Sequence, residues 1–292
     1  DLDTVILNLR KQSSNGSFSA SYIEAQAVVV AKTVSEANVK LNPDLLINLD
    51  LSDQDSILVE KLRKFKPLDS SFNVSQGYIP YRRTDLVKEF GVEAGNKIID
   101  ERQWHSQIKH DEQWRLEIQG RDLSRYGHME SSQYIKYGKH VAGYVDEKFF
   151  TRPRVLVMEV TRGEAYKISA DYVEKEYFNT PSIINIISTE DDKIALLSLL
   201  GVVNSRLATW YHEKVHPKAN AVTSIPKILV KDVRKLPIPP LTEMQAVYPL
   251  VRRLKEASAD HNRISQSFLQ LIRSKFTLPT LSRALENWPG LE

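Results

Sequence analysis

The hydrophobic and polar positions at the start of the chain predict two short strands and one helix. Apolar runs rich in valine and isoleucine at 4–9 and 27–31 are typical of strands, and the serine-rich stretch 12–21 between them is typical of a loop. Ser52 is suited to cap a helix, since acidic residues follow in the first turn and an apolar stripe continues until Pro67. This part of the chain therefore predicts a small α/β segment.

From residue 72 onward, short apolar runs alternate with charged loops that carry aromatic residues. The runs with strand composition are "FNVS" (72–75), "WRLEI" (114–118), "QYIKY" (133–137), "RVLVMEV" (154–160) and "SIINIIS" (182–188). Short strands separated by turn residues favour neighbouring pairs over long crossovers. The pattern therefore predicts a central β domain that is mixed but mainly antiparallel.

The last third of the chain predicts helices. Thr189 begins an apolar helical pattern with three acidic residues in its first turn, and Pro217 ends it. "KILVKDV" (227–233) predicts one more strand before the proline-rich boundary "LPIPPL" (236–241). A long helix from Val247 to Ile272 follows, with an apolar seam at alternating spacings of four and three, as in a coiled coil. The seam residues are Leu250, Leu254, Ala257, His261, Ile264, Phe268 and Leu271.

Together these elements predict an α+β fold in three parts. Residues 1–70 would form a small N-terminal α/β remnant, 71–241 the central β domain, and 242–292 the C-terminal helices with a short amphipathic piece at 277–292. The chain opens without methionine and within a strand pattern, so we expect it to be a fragment of a larger protein. Within the strong helix, Asn204 is expected to be structural, either as a cap or as a bridge to a neighbouring backbone, and Gly201 to allow close packing of the helix on a strand.

Composition narrows the class of protein. The 292 residues are 41% hydrophobic and 26% charged, enough for a substantial core and unlike a disordered chain. A net charge of +3 points only weakly to nucleic acid. The chain has no cysteine, which excludes disulfides, thiolate zinc sites and cysteine nucleophiles within it and fits a cytoplasmic protein. No apolar run is long enough to cross a bilayer, so we expect no membrane partner.

The motif "HEKVH" raises a catalytic alternative. His212 and His216 have the spacing that holds zinc in H-E-x-x-H enzymes, with Glu213 as the general base. However, Pro217 disfavours helix at the residue before it, and "PKANAVTSIPK" offers no third ligand. Histidines near the negative pole of a helix end explain the motif better. A zinc-dependent hydrolase therefore stays an alternative, and we assign no metal ligand.

Other catalytic signatures are missing from the sequence. Its glycines do not have the spacing of a dinucleotide-binding or P-loop motif, and no Gly-x-Ser-x-Gly elbow occurs. Acidic residues that could serve a nuclease lie far apart in ordinary surroundings. We therefore assign no catalytic and no cofactor-binding residue.

Basic and aromatic residues that recur in the loops are the remaining signal. Arginine and lysine neutralise phosphates, and aromatic rings stack on bases, so this combination favours nucleic-acid binding. The candidates are Tyr81, Arg82, Arg83, Trp104, His105, Arg121, Arg125, Tyr126, Lys136, Tyr137, Arg152, Arg154 and Arg162.

Seven segments in one order carry a resemblance to a known family. They are "QGYIPY" (76–81), "IQGRDLSRYG" (118–127), "YIKYG" (134–138), "FFTRPRVLVMEVT" (149–161), "NTPSIINII" (179–187), "LLGVVNSRLATWYH" (199–212) and "VKDVRKLPIPPL" (230–241). Together they resemble the TaqI-like C-terminal specificity domain, the target-recognition part of type IIG restriction–modification enzymes and related N6-adenine DNA methyltransferases. The flanks agree, since 1–11 resembles the last strand of the methyltransferase core and 280–292 the closing helical tail.

The resemblance implies sequence-specific recognition of double-stranded DNA, beside an upstream methyltransferase domain of the same parent protein. The parent would use S-adenosylmethionine, and Mg²⁺ if it also carries a nuclease. Within "IQGRDLSRYG", Asp122 is a further DNA-binding candidate: it would accept from a cytosine amino group or, as we favour, hold Arg121 or Arg125 in place for DNA.

The catalytic parts of such enzymes are missing here. Their N-P-P-Y-type motif grips the flipped adenine. Pro239-Pro240 stands between isoleucine and leucine, and the glycine-rich cofactor loop is absent. Catalysis by this chain alone is therefore not expected, and no cofactor is assigned to it. A second alternative is a helical protein-interaction module that pairs through Val247–Ile272.

Overall fold

The computed structural model describes residues 16–24, 27–36, 39, 51–163, 165–216 and 225–275. They divide between two compact units, with the boundary between Lys64 and Phe65. The strand predicted at 4–9 and the amphipathic piece predicted at 277–292 lie outside the described residues. The division into three domains stays a prediction.

The first unit contains a hairpin of β1 (Ser17–Glu24) and β2 (Ala27–Ser35), which pair antiparallel. The strand predicted at 27–31 is confirmed within β2. The loop predicted at 12–21 is wrong from Ser17 onward, because the serines there alternate with apolar residues and this two-residue period suits a strand.

One helix of the first unit follows its predicted signals. Helix α1 (Asp53–Arg63) begins after Ser52, whose hydroxyl accepts from the backbone N–H of Asp55 at 3.1 Å. The Asp55 carboxylate accepts in return from Ser52 N at 3.1 Å. This reciprocal pair satisfies two of the free amides at the helix start.

The second unit is an α+β structure, as predicted. Its described strands are β3 (Lys66–Pro67), β4 (Phe72–Gln76), β5 (His105–Ser106), β6 (Trp114–Glu117), β7 (Leu123–Ser124), β8 (Gly127–His128), β9 (Gln133–Lys136), β10 (Arg154–Met158), β11 (Ala170–Val173), β12 (Ile183–Ser188) and β13 (Pro237–Ile238). Its described helices are α2 (Arg83–Phe90), α3 (Val92–Asp100), α4 (Lys148–Thr151), α5 (Lys193–Val203), α6 (Arg206–Val215), α7 (Val230–Arg234), α8 (Leu241–Met244) and α9 (Tyr248–Lys275).

The core is a four-stranded antiparallel sheet in the order β11-β10-β12-β4. Every residue of β10, β11 and β12 is buried, which explains why β10 and β12 read as mainly apolar runs. The short β11 carries Asp171 and is not predicted by the sequence pattern. Helix α5 packs against β10, β11 and β12. Ile118, Leu123 and Tyr177 form a further apolar cluster with side chains of β10 and β12.

A smaller antiparallel sheet, β5-β9-β6, carries much of the candidate chemistry. Next to it, the buried side chains of Tyr78, Tyr137, Phe150 and Phe178 pack together with Ile135 in a second hydrophobic core. The strands predicted at 114–118 and 133–137 are confirmed here as β6 and β9.

The long helix predicted from Thr189 is two helices in the structure. Asp192, and not Thr189, caps α5, because its carboxylate accepts from two backbone amides at 2.8 and 3.0 Å. Ser205 caps α6 by accepting from Ala208 N at 3.0 Å, and the chain bends by 63° between the two helices. The prediction of one helix is wrong because a second capping residue lies within the apolar pattern.

The strand predicted at 227–233 is also wrong. Lys227 forms a single antiparallel bridge with Val160, and the chain then turns into α7. The carboxylate of Asp232 accepts from the backbone N–H of Leu229 at 3.0 Å and so stabilises the start of a helix.

Helix α9 confirms the predicted long C-terminal helix. It packs on α5 at Gly201, where an added Cβ would lie 2.6 Å from Val251 Cγ2. The glycine thus allows close packing, but against a helix and not the strand we expected. In the described part of α9, the seam residues Leu250, Leu254, Ile264, Phe268 and Leu271 are 36–64% exposed, so helix pairing stays a prediction.

Among the described residues, no single helix has the length and apolar character needed to cross a membrane. The bent pair α5–α6 meets those criteria only when its two helices are taken together.

Candidate nucleic-acid interface

Four side chains from separate loops and strands meet in what we term the aromatic cluster: Tyr81, Trp104, His105 and His140. The rings of Tyr81 and Trp104 stack with centroids 4.9 Å apart, and the His140 ring meets the Trp104 edge at 4.7 Å. The Tyr81 hydroxyl bonds to His105 Nδ1 at 2.8 Å and accepts from Trp104 N at 3.0 Å. Three predicted site residues are therefore brought together and held in fixed orientation.

A buried carboxylate supports this cluster from below. Glu117 is 1% exposed, accepts from the Tyr78 hydroxyl, and accepts from Gln133 Nε2 at 2.7 Å. His105 Nε2 lies 3.5 Å from Glu117 Oε1. Burial, and next the Glu117 carboxylate, raise the pKa of Tyr78 well above its ordinary value, so Tyr78 stays a neutral donor. The network joins the "QGYIPY" loop to all three strands of the small sheet.

We expect Tyr78→Phe to lower the free energy of unfolding by about 1.5–3 kcal/mol, because a buried carboxylate loses a hydrogen bond. Urea denaturation measures the change. Tyr144→Phe is the control, since Tyr144 is 50% exposed, and it should change stability by less than about 0.5 kcal/mol. Equal effects of the two variants would contradict a structural role for the Glu117 network.

The segment "IQGRDLSRYG" forms a turn followed by a tight hairpin. Asp122 accepts from the backbone N–H of Gln119 at 2.8 Å and so closes one turn of 3-10 helix. Strands β7 and β8 then pair so that Arg125 and Tyr126 form the two-residue turn, with Tyr126 at φ 64°. Arg121 is left on the surface, its side chain 61% exposed and 3.9 Å from Asp122.

The Arg125 side chain of this turn lies against the protein and does not point toward solvent. Its guanidinium lies 3.9 Å from the ring centroid of Tyr166 and 5.4 Å from that of Tyr126. It also donates to the backbone oxygen of Asn204 at 2.9 Å. Asp122 therefore lies near Arg121, while Arg125 is held by two tyrosines and a helix end.

Two of the predicted DNA contacts are wrong because their side chains are buried. Arg154 is fully buried and donates to the backbone oxygens of Arg152, Lys175 and Tyr177 at 2.7–3.2 Å, and burial lowers its pKa to about 9. Tyr137 is 6% exposed, and its hydroxyl bonds to the backbone of Val145. Both side chains stabilise the core.

The remaining predicted arginines lie at or near the surface. Arg82 pairs with Asp85 at 3.0 Å, and Arg83 lies 3.6 Å from Asp100. Exposed pairs of this kind contribute only about 0.2–1 kcal/mol, so a phosphate can replace the carboxylate. Arg162 is exposed as well.

Arg152 and Lys136 are the last two predicted contacts. Arg152 is half-buried and donates to Asp191 Oδ1 at 2.8 Å and to the backbone oxygen of Ser188 at 3.2 Å. Lys136 is half-buried on β9, directly beside Trp104, whose backbone oxygen accepts from Lys136 N at 2.8 Å.

Sequence reasoning missed the polar residues that organise the cluster. Glu117, Gln119, Gln133 and His140 are all bonded within or next to it, with Gln119 Nε2 donating to Gln133 Oε1 at 3.0 Å. In the sequence, Glu117 at the end of β6 resembles an ordinary charged surface residue. Its burial becomes evident only in the structure, where β6 pairs with β9.

The structure argues against the hypothesis that the H-E-x-x-H motif belongs to a zinc-dependent hydrolase. Helix α6 ends at Val215, and His216 has already left the helix at φ −118° and ψ 92°. Glu213 forms an ion pair with Lys167, so it is not available as the general base that such an enzyme needs.

The small antiparallel sheet and its loops thus carry both rigidly held aromatic side chains and exposed basic ones. Residues 115–238, less than half of the chain, match the family model of the TaqI-like C-terminal specificity domain. No curated protein matches the sequence.

Two solved structures are similar. One is a chain from a study of complex assembly and conformational transition of the type I R-M system, with 14% identity, 72% of this chain covered and a TM-score of 0.39. The other is the HsdS subunit from Thermoanaerobacter tengcongensis, with 12% identity, 79% of this chain covered and a TM-score of 0.38. This chain spans 42% and 47% of their lengths, respectively.

Proposed function

We propose that this chain recognises a specific sequence of double-stranded DNA for a restriction–modification system. The observation that carries the proposal is the match of residues 115–238 to the specificity-domain family model. The aromatic cluster and the exposed arginines support it, because specific DNA binding needs both rigid groups that read bases and cations that neutralise phosphates.

The contacts divide by their chemistry. Arg82, Arg83, Arg121 and Arg162 are exposed and serve as phosphate contacts, which set register and orientation without reading sequence. Lys136 lies close to Tyr81, Trp104 and His140, and these four are the candidates for base contacts in a groove. The His105 side chain is only 7% exposed and instead holds Tyr81 in place. Because the Glu117 network holds the cluster in place, DNA binding needs little ordering of these side chains.

The finer assignment concerns the whole protein. We propose that it is a cytoplasmic N6-adenine DNA methyltransferase of the type IIG kind, with a methyltransferase domain beside this chain. That domain would bind S-adenosylmethionine, and Mg²⁺ would be needed if the protein also cleaves DNA. The resemblance of "DLDTVILNLRK" to the last strand of such a catalytic core supports this proposal.

Selection from a randomised pool of DNA duplexes tests the proposal. We expect the purified chain to enrich one short motif, and affinity for that motif to fall with a log–log salt slope of about −0.9 per phosphate contact, near −3.6 if four arginines take part. Fluorescence anisotropy at several salt concentrations measures the slope. A pool without an enriched motif, together with salt-independent binding, would rule the function out.

Charge reversal separates the contact residues from the rest of the surface. Arg121→Glu should weaken binding and make the salt slope shallower by about 1 or more, since one phosphate contact is lost. Arg263→Glu is the matched control, because Arg263 is 74% exposed on α9, outside the family segment, and its partner Asp260 is local. If Arg263→Glu weakens binding as much as Arg121→Glu, the assignment of Arg121 is wrong.

A further inference from the structure

Three side chains capable of binding metal meet between the end of α6 and the start of α7: His212, His216 and Asp232. One ligand-type atom from each lies within 4.8 Å of the other two. His216 Nδ1 is 3.3 Å from Asp232 Oδ1, and the two imidazole rings have centroids 5.3 Å apart. The two histidines are four residues apart at the end of α6, whereas the carboxylate belongs to α7.

The burial of His212 sets this group apart from an ordinary surface cluster. His212 is 2% exposed, and among the described residues neither of its ring nitrogens has a hydrogen-bond partner. Buried imidazole nitrogens normally have a partner, because leaving them unsatisfied costs free energy.

We propose that His212, His216 and Asp232 bind a zinc-type divalent cation that fastens α6 to α7. Two imidazoles and one carboxylate form a donor set that suits zinc, whereas calcium and magnesium prefer oxygen ligands throughout. The site is structural and not hydrolytic, since Glu213 pairs with Lys167 away from it.

The geometry fits a tetrahedral ion after a small adjustment. Zinc–ligand distances near 2.0–2.1 Å place the ligand atoms of a tetrahedral site about 3.3 Å apart. His216 Nδ1 and Asp232 Oδ1 already have that separation, and one ligand-type atom of each of the three residues lies within 4.8 Å of the others, so ion binding would require His212 to move closer to the other two. Asp232 accepts from Leu229 N through its other oxygen, Oδ2, so its capping bond and the metal bond use different atoms. That capping bond also orients the carboxylate, as outer partners of metal ligands commonly do.

Zinc titration of the chelator-treated chain tests the site. We expect one Zn²⁺ per chain by isothermal calorimetry and by elemental analysis after gel filtration, and a higher midpoint of thermal unfolding. His216→Ala should weaken zinc affinity by more than the roughly 10–100-fold that loss of an outer partner costs, and should abolish the rise in midpoint. His110→Ala is the control, because it removes a histidine outside the cluster, and it should change neither result.

Two further variants distinguish a metal ligand from a structural side chain. His212→Leu removes the unsatisfied nitrogens, so the metal-free chain should be at least as stable as the parent while no longer responding to zinc. Asp232→Asn keeps a capping oxygen but loses the charge, and should weaken zinc binding without unfolding α7. The proposal is overturned if the parent chain binds no zinc, or if His216→Ala, His212→Leu and Asp232→Asn all bind it with the parent's affinity.

Discussion

Gly77→Ala is expected to lower the free energy of unfolding by about 3–5 kcal/mol, although it adds only one methyl group. A Cβ at this position would lie 2.1 Å from the backbone oxygen of Asn179 and 2.2 Å from that of Thr180. The next residue, Tyr78, donates its backbone N–H to the same Asn179 oxygen at 3.0 Å. The two segments cannot separate to make room without breaking that bond and displacing Tyr78 from Glu117.

Urea denaturation of Gly77→Ala measures the effect, and Gly120→Ala is the matched control. The nearest atom to a Cβ at Gly120 is the Ser182 backbone oxygen at 3.4 Å, which is ordinary van der Waals contact. This control should cost less than about 1 kcal/mol. Similar denaturation midpoints for Gly77→Ala and the parent chain would mean that the 76–81 loop can move away from 179–180.

Asp171→Ala is expected to cost a similar amount, about 3–5 kcal/mol, for an electrostatic reason. Asp171 is fully buried on β11 and accepts from His128 Nδ1 at 2.7 Å and from Lys255 Nζ. Lys255 belongs to α9, so this carboxylate joins the long helix to the core sheet and to the β7–β8 hairpin. Its removal leaves two donors without their acceptor and weakens the attachment of α9.

Asp260→Ala on the same helix provides the comparison. Asp260 pairs with Arg263 at 3.0 Å, but both side chains are mostly exposed, so the loss should stay below about 1 kcal/mol. Chemical denaturation at low and high salt separates the two further, since salt screens an exposed pair far more than a buried one. An Asp171→Ala chain as stable as Asp260→Ala would show that the bridge to α9 contributes little.

Three core strands, β4, β10 and β12, could be predicted because their short runs have strand composition. The fourth, β11, was missed because its four residues include Asp171 and form no apolar run. The errors in secondary structure arose where one polar side chain changes the local hydrogen bonding. Ser205 divides an otherwise apolar helix by capping a second one, and Asp232 turns a valine-rich run into α7. Asn204 behaves as expected, since its side chain bonds to both the N–H and the C=O of Ala170.

The site was harder to predict than the fold, because some of its arginines are exposed and available for binding while others are buried and stabilise the fold. Arg121 and Arg125 are four positions apart in one motif, yet one is exposed and the other lies against Tyr166. Arg154 stands at a strand start like Arg152, yet only Arg154 is fully buried. Burial of an arginine depends on which carbonyl groups the fold brings to it, and single-sequence patterns do not contain that information.

The bonds that Asn204 makes with Ala170 bear on how this protein can meet other chains. Ala170 and Tyr172 lie on β11, an outer strand of the core sheet, and Lys255 Nζ donates to the Tyr172 backbone oxygen at 2.9 Å. On the opposite outer strand, Arg234 donates to the Val74 backbone oxygen at 2.8 Å. Side chains thus occupy backbone groups that an incoming strand would need at both borders. Association by addition of a strand to either border of the core sheet is therefore disfavoured.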